Sequence, residues 1–223
     1  MTAHSASALS VYQRVLGDRF ALLDPSLRTY FGPLPHGMVG VGHGVFEFAG
    51  SRRRILTPAF AWMAWRHIIF PEHESAVPFT VVNSYGSDRT LTAVRTFFFA
   101  RRTRVMADSM TVVGGQLVDR LGRRGGLEVT LGVSVRDGGL RMESGTLRLR
   151  IAGLRVRLPR IAIMTLDERA HPTEAGRQQI DARIRAPLLG EVFRYSGSFT
   201  YRQERARTPR HPVHERSGVG PSG

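Results

Sequence analysis

The chain has 223 residues and a formal net charge of +14, with hydrophobic residues at 42% and charged ones at 22%, a length that can bury one core and a balance indicating neither wholesale disorder nor a membrane protein. It contains no cysteine, which excludes disulfides, thiolate zinc sites, iron–sulfur ligation and a cysteine nucleophile. All 32 basic residues are arginine, so Schiff-base lysine chemistry and a P-loop lysine are excluded too.

Residues Met1 to Ser10 lack a positive segment followed by an apolar run, so no secretory signal is read there and a cytoplasmic location is expected. Ser10 can cap a first helix in which Val11, Val15, Leu16, Phe20 and Leu23 recur at helical spacing, ending near Asp24-Pro25. A further turn through Leu27 and Tyr30 precedes the breakers Gly32-Pro33 and Pro35. Met38 to Phe48 then reads as a strand with Gly40, Gly42 and Gly44 on one face. Such a stripe marks a close approach of another element, and the helix that follows is the expected one. It is not a dinucleotide fingerprint, because Val45 takes the third glycine position.

Thr57-Pro58 starts a second helix with Thr57 as cap, and Pro71 stops it. Phe60, Trp62, Met63, Trp65, Ile68, Ile69 and Phe70 make it apolar around most of its girth, so it is expected to need cover on more than one side within a curved sheet. The stretch Ile55 to Phe70 is too short and too interrupted to span a bilayer.

From Phe79 onward the pattern is a meander of strands, with turns at Gly86-Ser87-Asp88, Gly114-Gly115, Arg123 to Gly126 and Asp137-Gly138-Gly139. In the hairpin Leu147 to Leu158 the apolar residues switch from odd to even numbers at Ala152-Gly153. Arg148, Arg150, Arg155 and Arg157 therefore share a face, read as solvated, with binding to an anionic surface as the alternative. The last two strands are Gln178 to Arg185 and Val192 to Tyr201. The fold expected is α+β: a large curved antiparallel sheet, barrel-like if it closes, with an N-terminal helix and a second apolar helix on its concave face. One domain is read over 1–202, and a disordered basic tail over 203–223.

The strings Val118-Asp-Arg-Leu-Gly122, Arg95-Thr-Phe97, Ile180-Asp-Ala-Arg-Ile184, Pro187-Leu-Leu-Gly190 and Arg194-Tyr-Ser-Gly197, with the opening Val11 to Gly17 helix and the Leu158-Pro159 turn, resemble an uncharacterised bacterial family, domain of unknown function 4166. Asp119 stands where that family more usually has Glu. The resemblance brings no activity. It implies a domain that stands alone or accompanies an oxidoreductase-like partner.

A curved sheet of this kind can enclose an apolar pocket. Trp62, Trp65, Phe97, Phe193 and Tyr195 are candidates to line it, against the alternative that they fill the core. Arg95, Asp119, Arg120 and Arg194 complete the ligand-binding candidates. The arginines would hold a ligand carboxylate or phosphate, or else pair with Asp108, Asp119 or Asp181. The expected ligand is a small apolar or anionic, lipid-like molecule, and an oxidoreductase is the expected protein partner. No cofactor is expected. His67, Glu72, His73 and Glu74 are the one local group of potential metal ligands, but their spacing fits no standard site, and His211 and His214 in the tail are not expected to bind metal. Arginines spread along the chain without a binding motif do not point to nucleic acid. No catalytic residue is assigned: there is no G-x-S-x-G, and an acid–base enzyme would draw on Asp119, Asp181 or His67.

Overall fold

The computed structural model describes residues 9–151 and 154–206. Helix α1 (Val11–Leu16) starts in a capping box: the Ser10 hydroxyl accepts from the Gln13 amide, and the Gln13 side chain accepts from the Ser10 amide. The helical spacing read as far as Leu23 breaks at Gly17, whose φ of 55° lies in the left-handed region. The chain continues as a 3-10 turn over Gly17–Leu22, and Asp24 then caps α2 (Pro25–Phe31) by accepting from the Ser26 amide.

Eleven strands follow: β1 (Met38–Gly50), β2 (His73–Tyr85), β3 (Leu91–Phe98), β4 (Thr103–Val113), β5 (Gln116–Leu121), β6 (Leu127–Arg136), β7 (Gly139–Ile151), β8 (Leu154–Arg157), β9 (Ile163–Ala170), β10 (Arg177–Ala186) and β11 (Gly190–Arg205). Sequence neighbours pair antiparallel from β1 to β8, β9 joins β7, and β11 returns to β1. Ten strands thus close into a barrel, and β8 extends β7 beyond the ring. Closure leaves those ten without a free edge, while β8 carries Arg155 and Arg157 on its exposed edge strand. The outward faces bear charged groups such as Arg120, Asp181 and Arg194, while most lumen residues are apolar. Among the described residues no helix is long and apolar enough to cross a membrane.

The two ends of the barrel differ. α1 packs against β4, β5 and β6, α2 reaches β9, and the Asp24 amide donates to the Gly138 carbonyl, so the N-terminal turns close one end. Helix α3 (Thr57–Trp65) lies at the other, with its following turn tied down by bonds from the Ala107 amide to the His67 carbonyl and from the Arg123 amide to the Arg66 carbonyl. α3 begins at Thr57 rather than being capped by it, and it ends at Trp65, with Arg66 as its C-cap and His67 turning to a φ of 60°, rather than at Pro71. Phe60 and Ala64 face inward, yet Trp62 and Trp65 stay 55% and 67% exposed. The cover expected around this helix is therefore one-sided.

The glycine stripe of β1 is approached by β11, not by the following helix. Gly40 lies under the Tyr201 ring, Gly44 lies against Phe199, and Gly42 lies between Phe199 and Val81 of β2. Aromatic rings fill this side of the lumen: Phe46 stacks on Phe79 at 3.7 Å and on Phe97 at 5.1 Å, and all three are buried with Phe199. β11 continues through Arg205, and the Ala206 amide donates to the Gly37 carbonyl. Strand β11 therefore includes Gln203 to Arg205, residues that the sequence reading assigns to the tail. The remainder of the predicted tail, 207–223, with His211 and His214, and the Ala152-Gly153 reversal lie outside the described residues.

Candidate functional site

The strands opposite the aromatic wall carry smaller or more flexible lumen residues. Met106 on β4, Leu131 on β6, Met142 on β7, Met164 on β9 and Ala182 on β10 surround a cavity of about 580 Å³. That volume suits a small organic molecule. Leu56, Trp62, Ile161 and Leu189 line its mouth beside α3, and because Trp62 and Ile161 are exposed the cavity reaches the surface there.

Its polar lining is sparse. Arg95 on β3 donates to Asp108 on β4 at 2.5 Å, both side chains being nearly buried. Asp119 on β5, Tyr195 on β11 and Ser144 on β7 also line the cavity, the Ser144 hydroxyl being held by the Met164 amide. Burial, and then the negative charge of Asp108, push the Asp119 carboxyl well above its ordinary value against the opposing pull of Arg95. Asp119 therefore holds its proton more tightly than an ordinary carboxyl, beside the Asp108–Arg95 ion pair. Burial raises the Tyr195 phenol to about 12. It also raises Glu168, which is buried in the interior but outside the cavity lining, to about 8. Asp108 Oδ1 and Asp119 Oδ1 are buried without a hydrogen-bond partner among the described residues.

Of the residues singled out in the sequence, Trp62, Arg95, Asp119, Phe193 and Tyr195 line this cavity. Phe97 is buried behind it against Phe46 and Phe70, and Trp65 projects from the rim. Arg120 lies on the outer wall beside Glu128 at 3.5 Å. Arg194 is also outside, sharing Asp181 with Arg183, and those two arginines hold the Asp181 carboxyl below its ordinary value despite the upward pull of partial burial. His67 sits in the turn after α3, where partial burial and then the Arg123 charge lower its pKa. Neither it nor Asp181 reaches the cavity lining.

Glu72 pairs with Arg102 and Arg104, His73 accepts from Arg52, and Glu74 accepts from the Ala100 amide. Among the described residues no three His, Asp or Glu side chains converge on one point. Sequence reasoning treated Asp108 only as a pairing partner and passed over Ser144, Glu168 and the methionines. The available signal was alternation: Asp108 falls in phase with Met106 and Met110, and Glu168 with Leu166, which puts carboxyls on an apolar face.

Fold and site together define a closed antiparallel β-barrel, plugged by helices at one end and holding an apolar cavity with a small polar floor that opens at the other. The chain belongs to the family described as domain of unknown function DUF4166, whose profile matches residues 23–199. No curated protein and no solved structure matches it.

Proposed function

We propose that this domain binds a lipid-like molecule, with the apolar body among Met106, Leu131, Met142 and Met164 and one neutral polar end at the floor. The observation that carries this reading is the pair of unpartnered buried oxygens, Asp108 Oδ1 and Asp119 Oδ1, on two residues of a mostly apolar cavity lining. Buried polar atoms are almost always paired, so a ligand that satisfies them is favoured. A hydroxyl can do so: it can donate to Asp108, which pairs with Arg95, and accept from Asp119, whose raised pKa favours the protonated form. An anionic end is a poorer fit, because the charge of Arg95 is already matched by Asp108. A domain serving only as a structural partner of an oxidoreductase would be expected to have a filled interior instead.

Binding of a pyrene-labelled long-chain alcohol, compared with the matching carboxylic acid, tests this. The alcohol is expected to bind more tightly, and Ala182→Phe, which fills the cavity, is expected to abolish binding of both. Equal binding by wild type and Ala182→Phe would overturn the assignment of the cavity. Preference for the acid would overturn the assignment of the floor.

A second reading is favoured by the same floor. A carboxyl with a raised pKa beside an ion-paired one is an arrangement that acid–base enzymes use, with Asp119 as the proton donor. Recovery of a bound alcohol with altered mass from wild type, but not from Asp119→Asn, would support it.

A further inference from the structure

We infer that the mouth of the barrel docks on an anionic lipid bilayer. Exposed apolar residues gather at this end. They project from three separate elements around the opening: Ile55 and Trp62 and Trp65 at α3, Leu154 and Val156 on β8, and Leu188 in the β10–β11 turn. Leu188 is fully exposed and Ile55 is 79% exposed, although either could have been polar at no cost to the core. Such an arrangement inserts several tips into a soft surface at once, and Trp at that level suits the headgroup boundary.

Charge selects the partner. Arg53, Arg54, Arg66, Arg124, Arg150 and Arg157 lie among these tips, and none has a carboxylate within ion-pair distance among the described residues. Arg66 stays close to both tryptophan rings, 5.7 Å from Trp62 and 6.0 Å from Trp65. The acidic groups nearby are largely neutralised: Glu72 pairs with Arg102 and Arg104, Glu128 is buried under Arg120, Arg148 and Arg155, and Glu143 pairs with Arg160, which leaves half-buried Glu74 and exposed Glu191 without an arginine. At the plugged end, by contrast, Asp18, Asp24, Asp88 and Asp137 are interspersed with the arginines. A face that combines apolar tips with uncompensated arginines matches an anionic lipid surface in both respects. Docking there would place the cavity mouth against the acyl layer. The inference extends the proposed ligand binding but is read from the rim alone.

The chain has two tryptophans, and both are on this rim, so intrinsic fluorescence reports on this face specifically. On mixing the full chain with vesicles of equal phosphatidylglycerol and phosphatidylcholine, the emission is expected to shift to the blue and the protein to sediment with the vesicles. Phosphatidylcholine alone should produce neither effect. Arg150→Ser and Arg157→Ser should each weaken sedimentation about fivefold, and Leu154→Ser with Leu188→Ser should remove the blue shift without changing the melting temperature. Leu22→Ser, at the plugged end, should leave both readouts unchanged. Ala182→Phe should still dock, which separates a failure of ligand binding from a failure of docking. The inference is overturned if anionic vesicles leave the emission unchanged, or if Leu22→Ser removes sedimentation while the rim variants keep it. A blue shift with polyglutamate but not with vesicles would overturn it in favour of an acidic protein partner.

Discussion

Arg95 and Asp108 lie on the lumen faces of adjacent strands β3 and β4, their side chains 11% and 7% exposed, and each is the other's ion-pair partner. Neither charge has ready access to water, so the pair is sustained by its own geometry rather than by solvation. Removing one member leaves the other buried and uncompensated. Asp108→Ala is expected to destabilise the domain by about 3–5 kcal/mol, read as a shift in the urea midpoint. Replacing both, as Arg95→Met with Asp108→Leu, should recover most of that loss. A double variant as unstable as the single one would show that the pair does not act as a unit.

The buried acids set the response to pH. Glu168 is raised from 4.5 to about 8, and Asp119 is raised in the same direction. A raised acid holds its proton more tightly in the folded state, so its stabilising contribution is complete below the unfolded value and is lost as pH climbs through the folded one. Between about 4.5 and about 8 the contribution of Glu168 is therefore lost progressively as pH rises. Asp24 and Asp181 are lowered and work in the opposite sense, losing stability as pH falls below their ordinary value. Melting temperature should therefore peak in mildly acidic buffer and decline toward pH 8, and Glu168→Gln should flatten the decline. A wild-type curve that rises steadily from pH 5 to 8 would contradict the assignment.

Much of the barrel was legible because alternation and turn chemistry are local. The turns at Gly86, Gly114, Arg123 and Gly138 fall where glycine clusters interrupt apolar runs, and Arg148 and Arg150 face Arg157 and Arg155 across the β7–β8 pair as the switch of phase required. Closure was not legible, since it depends on β11 finding β1 from opposite ends of the chain. The same limit applied to the site. Arg95 and Asp119 are in phase with apolar neighbours and reach the lumen, whereas Arg120 and Arg194 are one residue out of phase and reach the outer wall. Trp65 misled for another reason: hydrophobicity alone does not separate a core helix from a rim helix.

On the outer wall, Asp181 accepts from both Arg183 and Arg194, at 2.5 and 3.1 Å. All three side chains keep about a quarter to a third of their exposure, so solvent screens the cluster and each arginine can partly stand in for the other. Arg194→Ala and Arg183→Ala should each cost about 1 kcal/mol or less. Their combined loss should exceed the sum, because only the double variant strips Asp181 of both partners. Strict additivity in chemical denaturation would indicate independent contacts.

The β1–β11 seam offers a test of closure itself. A Cβ added at Gly44 would lie 2.2 Å from the Ser198 carbonyl oxygen and 2.8 Å from the Phe199 Cα, both parts of the backbone, which cannot move without opening the seam. At Gly40 the nearest obstacle is the phenol end of Tyr201, a side chain that can rotate aside. Gly44→Ala is therefore expected to cost about 1–3 kcal/mol by overpacking, and Gly40→Ala distinctly less. If the barrel is closed through this seam, amide exchange in β1 and β11 should accelerate together in Gly44→Ala, because each strand is the other's hydrogen-bond partner from Met38 to Gly50. Acceleration confined to β1 would mean that β11 is held by β10 alone and that the ring is not closed there.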